Sequence, residues 1–113
     1  MIKLHYSPDS RNDLLEIKEY ISVELANPGA ACRMVAYILK RIRSLEQFPE
    51  MGASLSPIVG IDTSFRFLVC KNYLVFYRIE GNDVFISRVL YGKRDYVTIL
   101  FGEQYKDEAE EER

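Results

Sequence analysis

The chain has 113 residues, of which 48% are apolar and 28% charged, enough for one domain with a buried core and too few for two. That composition excludes intrinsic disorder and a collagenous chain. The formal charge of −2 argues against a dedicated nucleic-acid binder, but the charge is unevenly spread. Glu103, Asp107, Glu108, Glu110, Glu111 and Glu112 crowd the last segment beside only Lys106 and Arg113. What precedes it is mildly basic. Arg33, Lys40, Arg41 and Arg43 stand in a stretch without acids, and Arg66, Lys71, Arg78, Arg88, Lys93 and Arg94 outnumber the acids around them. The expected organisation is a basic domain over 1–102 and a solvated, flexible acidic tail over 103–113. No apolar run is long enough to span a bilayer, and the N-terminal residues are too polar for a signal peptide, so a cytoplasmic location with no membrane partner is expected. Cys32 and Cys70 lack a CxxC spacing and read as reduced, buried thiols; no metal or cofactor is expected.

In chain order, Ile2 to Tyr6 alternate apolar and polar residues, the period of a short strand with one buried face. Ser7-Pro8-Asp9-Ser10 stops it and offers helix caps. Leu14, Ile17, Ile21 and Leu25 then recur at helical spacing, an amphipathic helix of about four turns ended by Asn27-Pro28-Gly29. Asn27 caps a second helix with Pro28 at its first position. Ala31, Val35, Ile38, Ile42 and Leu45 form its apolar stripe, and Phe48-Pro49 ends it. Two helices joined this closely lie antiparallel. Residues 50–64 follow neither period and read as a loop. Three β-rich runs follow, Phe65 to Cys70, Tyr73 to Ile79 and Asp83 to Leu90, and Gly81-Asn82 is a hairpin turn. A short helix is expected from Asp95 to Phe101. The fold class is therefore a single α+β domain, strand–helix–helix–three strands, with a helical hairpin packed on an antiparallel sheet.

A two-residue turn at Gly81-Asn82 predicts Glu80 opposite Asp83, Ile79 opposite Val84, Tyr77 opposite Ile86 and Val75 opposite Arg88. One sheet face then carries Tyr73, Val75, Tyr77, Ile79, Val84 and Ile86, and the other Leu74, Phe76, Arg78, Phe85, Ser87 and Val89. Both are largely apolar. The helical hairpin covers one of them, so the second requires the C-terminal segment or a partner chain.

The usual catalytic constellations are absent. His5, the single histidine, sits in a strand, and Asp13, Glu16 and Glu19 read as the solvated face of the first helix. The segment Arg88-Val-Leu-Tyr-Gly-Lys-Arg-Asp95 gathers Arg88, Lys93 and Arg94 with Tyr91 and Tyr96 around a strand end where Gly92 permits a turn. Such cations suit phosphates or an acidic partner, and the phenols can stack or donate a proton. An equally weighted reading is a charged sheet edge, with Arg94 paired to Asp95 or to the tail.

The run Tyr73-Leu-Val-Phe-Tyr-Arg-Ile79, followed by Val84-Phe-Ile-Ser-Arg-Val-Leu-Tyr-Gly-Lys-Arg-Asp95, resembles the terminal strand pair of bacterial RelE/ParE toxins, especially of the ParE branch. Upstream, Tyr6-Ser-Pro, Asp13-Leu-Leu-Glu-Ile-Lys-Glu-Tyr-Ile21, Asn27-Pro28, Ala30-Ala31 and the passage from Leu45 through Phe48-Pro49 to Gly52 are similar as well. The resemblance covers about residues 1–101. It implies the toxin of a type II toxin–antitoxin module, held in a hetero-oligomer by a co-expressed antitoxin. RelE-like members cut mRNA on the ribosome with lysines and arginines at the scissile phosphate, whereas ParE-like members inhibit DNA gyrase without cleaving a bond themselves.

By position, Arg66 falls near the first basic residue of the RelE-like set and Arg94 matches the arginine at the end of the last strand. Leu68 and Leu74 stand where that set has cations, and a leucine cannot stabilise developing negative charge. The resemblance thus favours a non-enzymatic gyrase inhibitor. The alternatives are an endoribonuclease working through Arg66, Lys93, Arg94 and Tyr96, and a non-toxic relic that only binds antitoxin. Leu74, Phe76, Phe85 and Val89 with Arg78 at the rim are the expected antitoxin seat, and Arg88, Tyr91, Lys93 and Arg94 the expected target contacts.

Overall fold

The computed structural model describes residues 1–102; the expected acidic tail at 103–113 lies outside them. Strand β1 (Lys3–Tyr6) leads into α1 (Pro8–Glu19), which continues as one π-helical turn over Tyr20–Glu24. Helix α2 (Pro28–Arg43) returns antiparallel and ends in a 3-10 turn at Ser44–Glu46. Then come β2 (Ala53–Ser54), the single-turn α3 (Ser56–Val59), β3 (Arg66–Cys70), β4 (Tyr73–Glu80), β5 (Asp83–Tyr91) and α4 (Tyr96–Phe101). The sheet order is β1-β5-β4-β3-β2.

Local chemistry sets the helix starts. The Ser7 hydroxyl oxygen accepts the Ser10 N–H at 3.0 Å, and the Asn27 side chain accepts the Ala30 N–H at 3.1 Å, each just before a proline at the first helical position. Gly81, at φ +60, supplies the left-handed residue of the β4–β5 turn. The antiparallel expectation holds for β2 through β5, but β1 runs parallel to β5. The α1–α2 hairpin is the crossover that carries the chain from β1 to the remaining strands, which makes the sheet mixed.

The main core lies between the helices and one sheet face. Ile17, Ile21, Ala31, Ile38, Ile42 and Leu45 pack on Leu68, Val75, Tyr77, Val84, Ile86 and Val89. Each fully buried isoleucine contributes roughly 1.5–3 kcal/mol. A second, smaller cluster on the opposite face is built from Leu55, Phe76 and Leu90, with Phe65, Leu74, Tyr96 and Ile99 packed around it. The C-terminal helix and the 55–59 segment therefore provide the second cover.

Four sequence expectations are corrected. The pairings from Glu80↔Asp83 to Tyr77↔Ile86 stand, but a bulge between Phe76 and Tyr77 shifts the rest, so Arg88 faces Phe76 and Val89 faces Val75. The extra residue moves Val89 onto the helix-covered face. Leu25 is not core: the π turn, closed by the Leu25 N–H on the Tyr20 carbonyl at 3.3 Å, adds a residue and rotates it outward to 57% exposure. Residues 50–64 include β2 and α3 rather than an unstructured loop. Cys32 is exposed; Cys70 alone is buried.

Candidate functional site

Past Tyr6 the edge of β5 has no neighbouring strand, and α1 takes its place. Asp13, only 3% exposed, accepts the Val89 N–H at 2.9 Å and a bidentate pair of bonds from Arg88, both 2.8 Å. The two residues lie far apart in sequence. The Asp13 carboxylate holds the Arg88 side chain above even the ordinary arginine range, against the opposing effect of burial. Asp13 thus belongs to the interior and not to the solvated helix face. The Ser7 hydroxyl donates to the Ser87 carbonyl at 2.7 Å, which satisfies the oxygen of the bulged residue.

A second fixed cluster straps the 49–54 segment onto the sheet. The Tyr77 hydroxyl donates to the Pro49 carbonyl at 2.8 Å and accepts the Gly52 N–H at 2.9 Å. A Cβ on Gly52 would lie 2.6 Å from both that hydroxyl and the Phe67 carbonyl oxygen, so the approach requires glycine. Arg66 donates to the carbonyls of Glu50 at 3.0 Å and Gly52 at 2.6 Å. Arg41 similarly reaches the Val69 carbonyl at 3.2 Å, on the β3 edge.

The remaining predicted site residues divide by location. Arg66 is level with Tyr77, on the helix-covered face, whereas the Tyr96 ring packs on Phe76 on the other face, with centroids 5.3 Å apart. Arg66 and Tyr96 are therefore not brought together. Phe76 is fully buried and Leu74 half-buried under α4, while Val89 is on the helix side. Arg78 and Phe85 remain half-exposed side by side, Arg78 over the Phe65 ring and Phe85 stacked on His5 at 4.9 Å. His5 also meets Asp83 at 2.7 Å.

Tyr91, Lys93 and Arg94 are exposed. Tyr91 and Arg94 border a groove of about 570 Å³ between the π turn and the far end of the β4–β5 hairpin. Tyr20, Leu25 and Tyr73 complete its walls, with Glu16 and Asp13 on the α1 side. Tyr73 and Tyr91 meet edge to face at 6.0 Å. Burial pushes the Tyr73 phenol above its ordinary range, and the neighbouring phenols of Tyr20 and Tyr91 add to the effect. Sequence pattern identified the 88–95 end of this groove and missed Tyr20, Leu25 and Tyr73. Only the exposed tyrosine at helical spacing beside the stripe signalled them.

A family model described as the ParE toxin of the type II toxin–antitoxin system parDE matches residues 4–96. The chain belongs to the ParE toxin family. No curated protein matches it. A solved structure described as the chromosomal ParDE toxin–antitoxin system from P. aeruginosa is similar, with a TM-score of 0.68 and 22% identity over 80% of this chain and 96% of that one. At that identity the likeness speaks to the fold, and this ParE toxin shares its helical hairpin on a sheet. Among the described residues of the toxin, no helix is long and apolar enough to cross a membrane, and no group of three or more histidine, cysteine or acidic side chains is arranged to hold a metal.

Proposed function

We propose that this ParE-family toxin acts in the cytoplasm by inhibiting DNA gyrase and is kept silent by a cognate antitoxin. The family match supports the toxin role. The observation that carries the choice of target is the state of the residues on which RNA cleavage would depend. Leu68 is core and Leu74 lies half-buried in the second cluster, so neither can hold a phosphate. The Arg66 guanidinium is engaged by the carbonyls of Glu50 and Gly52. Of the cations that would share a scissile phosphate's charge, Arg94 keeps only its sequence neighbour Lys93.

The antitoxin seat is the open half of the second sheet face. Phe85 presents an apolar surface with Arg78 at its rim, whose exposed 3.5 Å pairing with Glu80 an acid of an incoming amphipathic segment can replace. The structural neighbour's description as a ParDE system supports a partner of this kind.

The test is a paired assay. Expression without antitoxin should arrest growth, and the purified chain should block supercoiling by gyrase while leaving mRNA intact in a translation extract. Codon-dependent cleavage in that extract would transfer the protein to the endoribonuclease reading. Antitoxin binding without growth arrest would make it a non-toxic relic.

A further inference from the structure

The groove at the end of the β4–β5 hairpin has the composition of a protein-binding hot spot. Tyrosine and arginine are the side chains that most often dominate such sites, because a flat amphipathic ring buries much area at small entropic cost. Here Tyr20 is 53% exposed, Tyr91 40% and Leu25 57%, all on one concavity. The π turn is what presents Leu25, its extra residue turning that side chain away from the core that Ile17 and Ile21 enter, while Tyr20 stands exposed at the start of the turn. Such insertions recur at functional positions.

Charge identifies the occupant. Of the groove's own acids, Asp13 is paired with Arg88 and the Val89 N–H, whereas Glu16 accepts only the neutral Asn12 amide at 3.1 Å and keeps its charge. Among the described residues, the Lys93 and Arg94 side chains meet no carboxylate. Lys93 and Arg94 against the single charge of Glu16 leave this end of the domain net positive, while the groove interior is aromatic and aliphatic. The complementary partner is a protein segment that presents a bulky apolar side chain with a carboxylate close by.

We infer that this groove, walled by Tyr20, Leu25, Tyr73 and Tyr91 and edged by Arg94, with exposed Lys93 next to it in sequence, is the surface through which the toxin grips an acidic, apolar-anchored segment of its target. The assignment rests on the toxic role proposed above and adds the site and the chemistry of the partner. The groove is on the helix side of β5, about 20 Å along that strand from Phe85 at ordinary strand rise. A segment confined to Phe85 and Arg78 leaves it open. Arg88, although adjacent in sequence, is not part of the grip, because its guanidinium is held by Asp13.

The experiment uses the full chain with three groove variants, Tyr20→Ala, Tyr91→Ala and Arg94→Glu, and Lys40→Glu on the exposed side of α2 as a control. Folding is checked by circular dichroism and by a melting temperature within about 2 °C of wild type, as befits substitutions of exposed side chains. Each groove variant should raise the toxin concentration that half-inhibits gyrase supercoiling by about tenfold or more, as hot-spot losses do, and should relieve growth arrest in cells lacking the antitoxin. Lys40→Glu should do neither. Raising salt should weaken wild-type inhibition more than that of Arg94→Glu.

Folded groove variants that inhibit gyrase and arrest growth as the wild type does would overturn the assignment while leaving the gyrase reading intact; the groove would then be free for the antitoxin or for nothing. A wild type that arrests growth without touching gyrase, with variants that relieve the arrest, would keep the assignment and remove gyrase as the target. A wild type silent in both assays removes both proposals.

Discussion

Arg88 and Arg94 flank the end of one strand, and their surroundings are opposite. The Arg88 guanidinium closes two bonds onto a buried carboxylate of α1, whereas that of Arg94 stands at a groove rim and, among the described residues, closes no ion pair. Arg66 and Arg41 fall with Arg88, each donating to main-chain carbonyls that the sheet leaves uncovered. The basic composition of the domain is therefore two populations. One is held by oxygens of distant segments, main-chain carbonyls or the Asp13 carboxylate, and the other is available to a partner. Counting cations along the sequence cannot separate them, because the difference lies in whether an oxygen from a distant segment reaches the head group.

The sharpest way to break this contrast is to remove the carboxylate. Asp13→Ala leaves the Val89 N–H without its acceptor and Arg88 without its partner, so urea denaturation should show a loss of about 3 kcal/mol, in the range for breaking a buried pair. A loss below ~1 kcal/mol would place Arg88 with the available cations instead. Tyr77→Phe tests the second fixed cluster. It deprives the Gly52 N–H and the Pro49 carbonyl together, and should cost about 1–3 kcal/mol while the helical far-ultraviolet signal is kept. An unchanged denaturation midpoint would mean that the strap holds without the hydroxyl.

The gentlest test concerns the groove itself. Burial and the phenols of Tyr20 and Tyr91 raise the Tyr73 titration, and burial raises that of Tyr6. Because the fold favours the protonated phenol, the associated stability is intact below the ordinary tyrosine value of about 10 and is lost as the pH climbs through the raised folded value. Ultraviolet titration should therefore show phenols ionising later in the native chain than in the denatured one. Tyr20→Phe should bring Tyr73 earlier by removing a neighbouring negative charge. If the native and denatured titrations coincide, the three phenols do not share the concavity.

Apart from β2 and α3, the elements and their order were readable from local pattern. Ser7-Pro8 and Asn27-Pro28 start helices because capping and a missing N–H are decided within a few residues. Gly81-Asn82 fixes the near half of the hairpin for the same reason, and the short C-terminal helix begins where Asp95 accepts the Thr98 N–H at 3.3 Å. Pattern also showed that one sheet face would need a cover besides the hairpin.

What local pattern could not reach was every feature set by a non-local contact. Period-2 alternation continues straight through the bulge at Ser87, so it put Val89 on the wrong face and with it the supposed continuous strip from Leu74 to Val89. Helical spacing counted Leu25 with the core because a π turn changes the repeat without changing the residue types. Asp13 looked like one acid among several, and its burial follows from an unpaired strand edge many residues away. The groove is the sum of these departures: a π turn that turns Leu25 outward, a bulge that resets β5, and an edge closed by a carboxylate. Its position is therefore a property of the packed chain, since each cause depends on segments that meet only when the sheet and helices assemble.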